Sequence, residues 1–203
     1  MKHLNKYAQY WLDTQPIYSI SKWLKGNSDK TFPELWKTAQ GTTMFYFLHE
    51  SSNITNTEAK TIAFDFAQSL KPLFEMAEAV LVFEAIEKAV KEPTEKNYSL
   101  LNSLNLKLNT KLSEYVNTCR SLNIDFQTDY YFCNAIHKIA LAILVIPSNG
   151  ETFAVYNLCK AVNIVYNVLA EQEQNLAKSI RKTITAELVM KRIDEKLKKV
   201  LIS

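Results

Sequence analysis

The sequence predicts an all-α fold, and three observations carry that reading. Only three glycines, Gly26, Gly41 and Gly150, occur in 203 residues. A chain so poor in the residue that supplies positive φ has few hairpin turns and little room for phosphate-cradling loops. Apolar residues recur at helical spacing in segments punctuated by proline, glycine or polar clusters. A composition of 47% apolar and 22% charged residues is that of a globular chain with a core to bury. The expected architecture is a single-domain helical bundle of about seven to nine helices over 1–203, in which aromatic N-terminal helices, 1–50, cap a main bundle, 57–203.

The cap holds all three tryptophans, Trp11, Trp23 and Trp36, with Tyr7, Tyr10, Tyr18, Phe32, Phe45, Tyr46 and Phe47. Each large aromatic buries on the order of 150–250 Å², so core packing is their expected role. Pro16 and Pro33 sit where a first turn tolerates them and 26–29 reads as a connector, which places short helices near 3–14, 17–25 and 33–50. Gly41 falls inside the last of these, where it costs up to about 1 kcal/mol relative to alanine; it marks a helix boundary or a close contact.

Thr57 is placed to cap a helix carrying Ile62, Phe66, Ala67 and Leu70. Pro72 breaks or kinks the chain near 70–72, and a second helix is expected from Pro72 to Lys91. Leu73, Met76, Ala77, Val80, Leu81, Phe83, Ala85, Ile86 and Ala89 cover more than half its circumference, which makes it central. Pro93-Thr94 opens a helix running to about Leu122, and 123–125 is a connector. A further buried helix runs from 125 to 146 and stops at Pro147-Ser148-Asn149-Gly150. The last fifty residues lack proline and glycine, but one helix of that length would span about 75 Å, so a bend is expected in the polar stretch 171–175. The period of Phe153, Tyr156, Ala161, Ile164, Val165 and Val168 favours helix over strand there.

Charge and motifs exclude more than they assign. A net charge of +3 gives no strong nucleic-acid signal. The longest apolar run, Ile139–Ile146, is far short of the roughly 20 residues of a membrane-spanning helix. The opening residues lack a signal-peptide pattern, so a cytoplasmic location is expected. Cys119, Cys133 and Cys159 show no C-x-x-C spacing and read as buried free thiols. Asn53-Ile54-Thr55 and Asn97-Tyr98-Ser99 match a glycosylation tripeptide by chance in an asparagine-rich chain. Dinucleotide-binding, Walker A, nucleophile-elbow and H-E-x-x-H motifs are absent, and no cofactor or metal is implied.

Three constellations carry possible chemistry. Glu75/Glu78 and Glu84/Glu87 form two E-x-x-E pairs. On one helix Glu84 lies about 180° and Glu87 about 120° from Glu75, so the pairs cannot share an ion, and no E-x-x-H completes a di-iron pattern. Asp129, Cys133 and His137 follow at i, i+4 and i+8, the inventory of an activated thiol, but with about 6 Å between successive members and no oxyanion donors. Residues 178–203 carry a net +5 beside an apolar stripe of Ile180, Ile184, Leu188, Ile193, Leu197 and Val200. The helix over 176–203 packs on the core with a solvated basic face, pairs with another protein or a second copy of the chain, or touches an acidic membrane or nucleic acid, the last disfavoured by its lack of aromatics. The expected function is non-enzymatic protein binding, as in an adaptor, regulator or toxin-neutralising factor. The alternative is a helical-bundle enzyme or small-ligand binder with a site between helices.

Overall fold

The computed structural model describes residues 4–14, 18–51, 53–73, 75–145 and 172–200, together with 157, 160, 161 and 164. Ten α-helices and no strand occur among the described residues: α1 (Lys6–Asp13), α2 (Tyr18–Gly26), α3 (Phe32–Thr38), α4 (Gly41–Glu50), α5 (Asn56–Leu70), α6 (Ala77–Lys91), α7 (Glu95–Leu122), α8 (Thr128–Val145), α9 (Gln172–Thr183) and α10 (Ala186–Val200). The helical residues 157, 160, 161 and 164 lie outside these ten, and the count exceeds the expected seven to nine because 33–50 and 176–203, each read as one helix, are divided.

The first division is at Gly41. Residues 33–50 form two helices, and Gly41 opens the second. A Cβ on Gly41 would lie 2.7 Å from the Ala177 backbone nitrogen and 2.7 Å from Leu176 Cβ. Boundary and close contact are therefore both present, because the α3–α4 corner is pressed onto α9. The second division falls at Ile184–Thr185; of the stretch 171–175, where a bend was expected, 171 lies outside the described residues and Gln172 opens α9. Thr185 Oγ1 accepts from Leu188 N at 3.2 Å, so the hydroxyl starts α10 where helical propensity alone does not demand a stop.

Two local expectations are corrected. Thr55, not Thr57, caps α5: its hydroxyl accepts from Glu58 N while the Glu58 carboxylate accepts from Thr55 N at 2.8 Å, a capping box. Pro72 sits in a single 3₁₀ turn, Lys71–Leu73, and α6 begins only at Ala77 with Met76 at its cap. Asn123 ends α7 in the left-handed conformation, φ 52°, a role its short polar side chain tolerates in place of glycine. The stop at 147–150 and most of 151–171 lie outside the described residues, but Asn157, Lys160, Ala161 and Ile164 are helical, as the period requires.

Buried side chains from all ten helices join one apolar cluster. Helices α6, α7 and α8 pack on one another, α5 lies against α6 and α8, α9 fits between α4 and α5, and α10 closes over α1 and α3. Nine of the eighteen α8 residues are buried, and α6 packs against α5, α7 and α8 while leaving Leu81 46% exposed, so α6 and α8 share the central place. In the cap, Trp11 stacks on Phe47 with centroids 4.5 Å apart, and Phe32 stacks on Trp36 at 5.8 Å. Those rings are core, as expected.

Candidate functional site

The Asp129, Cys133 and His137 stripe forms on α8, and each residue has separate structural work. Asp129 Oδ1 accepts from Glu75 N at 2.7 Å and from the Cys133 thiol at 3.5 Å. Met76 offers no side-chain cap to α6, and Asp129 of α8 holds the backbone at Glu75, just ahead of that helix. Burial, with the Asp129 charge next, pushes the Cys133 thiol up to about 12. A thiol held protonated is the opposite of an activated nucleophile.

His137 turns away from Cys133. Its Nδ1 lies 2.9 Å from Asn105 Oδ1 of α7, both side chains are buried, and burial lowers the imidazole to about 4. A neutral ring donating from Nδ1 satisfies the asparagine oxygen and ties α7 to α8. Glu75 precedes α6 instead of riding on it, so it shares no helical face with Glu78; its side chain is exposed, while Glu78 is half-buried in the first turn of α6, where a carboxylate complements the helix dipole. No group of three or more His, Cys, Asp and Glu among the described residues is arranged to hold a metal ion.

Comparison with known protein families, curated proteins and solved structures yields no match for this chain.

Three basic side chains of the C-terminal segment, Arg181, Arg192 and Lys196, are turned inward. Arg181 donates from Nε to Trp36 O at 3.1 Å and from Nη2 to Ala39 O at 2.6 Å. Arg192 grips the Glu58 carboxylate through both nitrogens, at 2.7 and 3.0 Å, and donates to Asn53 O. Partial burial pushes Glu58 up, but the Arg192 and Thr55 hydrogen bonds prevail and hold it below the ordinary carboxylate range. Lys196 donates to Ser51 O, and Asp194 accepts from Lys6 and Tyr7. Ile180, Ile184, Val189 and Ile193 are fully buried. Of the apolar stripe, Ile180, Ile184 and Ile193 face the core and Leu188 is half-buried, whereas Leu197 is 37% exposed, beside the exposed Lys178, Lys182, Lys191, Lys198 and Lys199.

Two surface features were not singled out from the sequence. At the α7–α8 corner, Leu122 is 63% and Ile124 54% exposed, beside a cluster in which Phe126 lies 4.7 Å from Tyr130 and Tyr115 5.6 Å from Tyr130 by ring centroid. An open groove of about 270 Å³ leads away from it past Asn109, Ser113, Asn117, Arg120 and Asn134. The available signal was two large apolar residues flanking Asn123 in an otherwise polar connector. The second feature is a cleft of about 280 Å³ between α2, α3 and α4. Its residues come from three segments and have no common spacing. No helix among the described residues is long and apolar enough to cross a membrane.

Proposed function

We propose that this chain is a non-catalytic helical protein of the cytoplasm that binds another protein through the α7–α8 corner. The observation that carries the reading is the exposure of Leu122 and Ile124 together at one turn, next to half-buried tyrosines and Arg120. Large apolar anchors flanked by Tyr and Arg make the composition of a binding hot spot. The state of Cys133 and His137 supports the absence of catalysis, since neither offers a usable nucleophile or base near neutral pH. Buried free thiols at Cys119 and Cys133 suit a reducing compartment.

The test compares partners recovered from native cells by the wild-type chain and by Leu122→Ser/Ile124→Ser, with Leu81→Ser as the exposed-leucine control. A partner held by wild type and control, and bound at least tenfold more weakly by the double variant once purified, is the expected result. Identical partners and affinities for all three chains would end the proposal. Both corner side chains are mostly exposed, so their loss leaves the fold intact.

A further inference from the structure

The cleft between α2, α3 and α4 is a candidate small-molecule site independent of the α7–α8 corner. Ser19, Ile20 and Trp23 line it from α2, Thr38 from the end of α3, Gln40 from the corner and Thr43 from the first turn of α4. Among the described residues its wall contains no charged side chain. Trp23 packs against Trp11 with centroids 5.8 Å apart and planes inclined by 66°, and the residue is half-buried. Among the described residues no side-chain hydrogen bond engages Ser19, Gln40 or Thr43. Thr38 donates its hydroxyl proton to the Glu34 and Leu35 carbonyls and keeps its lone pairs available.

We propose that this cleft binds a neutral polyhydroxylated ligand of monosaccharide size. An indole wall covers the C–H face of a sugar ring, because aromatic surface gains most from apolar area removed from water. Hydroxyl and carboxamide groups both donate and accept, and so match ring hydroxyls that do the same. A charged ligand would lose hydration with no counter-charge in the wall to replace it. The volume of about 280 Å³ is at the small end for ligand pockets and fits one ring, not an extended chain.

The three indole N–H signals of the ¹⁵N-labelled full-length protein supply the readout. Trp36 Nε1 is engaged with Ile184 O at 3.2 Å and Trp11 is buried, so the Trp23 signal, assigned with Trp23→Phe, reports on the cleft. Titration with glucose, galactose, N-acetylglucosamine and glucuronate should shift that signal saturably for at least one neutral sugar. The double variant Gln40→Ala/Thr43→Val should weaken the binding at least tenfold with the rest of the spectrum unchanged. The proposal is overturned if no neutral sugar moves the Trp23 signal, if the double variant binds as wild type does, or if glucuronate binds more tightly than every neutral sugar.

Discussion

The aromatic helices α1–α4 and the trio α6–α8 are both helical, yet they are held by opposite means. Each helix of the trio packs on its chain neighbours through its own apolar stripe, with Asn105 and His137 as a buried polar tie. The aromatic helices instead depend on residues more than a hundred positions away. Arg181, Arg192 and Lys196 donate to carbonyls of Trp36, Ala39, Ser51 and Asn53, at the ends of α3 and α4 where helices leave acceptors unpaired. Local pattern builds the first kind of region, and remote capping completes the second.

Deleting α10 should produce the largest break between the two. It removes Val189, Ile193 and the Arg192 and Lys196 struts. Each buried aliphatic contributes about 1.5–3 kcal/mol against a total stability of about 5–15. We expect red-shifted tryptophan emission and loss of near-ultraviolet dichroism; a native-like spectrum would show that the brace is dispensable.

Acid should act on the other region. His137 is neutral in the fold with a pKa of about 4, below the unfolded value of about 6.5. Its contribution is whole above pH 6.5 and declines as pH falls through 4, by up to about 3 kcal/mol. His137→Gln should therefore flatten part of the pH dependence of urea unfolding in that window, and equal slopes for variant and wild type would refute the assignment. Arg192→Met leaves the Glu58 carboxylate without its guanidinium and should cost about 2–3 kcal/mol, with hydrogen-exchange protection lost in α1–α4 before α6–α8. Uniform loss would mean that the two regions are not separable.

Two smaller effects sharpen the contrast. Gly41→Ala places a methyl against the α9 backbone and should destabilise by about 1–3 kcal/mol in chemical denaturation. Thr55→Ala removes one half of a capping box and should cost about 1 kcal/mol, a purely local loss.

The same division decides what could be read from the sequence. Helical spacing located α5, α7 and α8, because their stripes are set by nearest neighbours in the chain. It could not distinguish Thr55 from Thr57 as the α5 cap, since the choice turned on Glu58 lying three residues beyond Thr55. Arg181, Arg192 and Lys196 read as part of the same charged surface as the exposed lysines around them, because nothing local tells a lysine facing water from an arginine facing a distant carbonyl. Asp129 and Cys133 looked like chemistry for a related reason: a polar group holding the backbone ahead of another helix and a polar group poised for reaction share one spacing. The α7–α8 corner and the Trp23 cleft are properties of surface left uncovered, and spacing along one element does not report that.

The long-range contacts of Arg181 and Arg192 also impose an order on biosynthesis. At about 5–20 residues per second, the last residue of α4 is added to the chain roughly 7–30 seconds before Arg192 is. Throughout that interval Trp11, Phe32, Trp36 and Phe47 lack the helices that seal them, so the nascent chain presents its most adhesive surface first and its clasp last. Slowing translation of the final thirty codons should lengthen that exposure and increase chaperone occupancy on the ribosome without altering the finished protein.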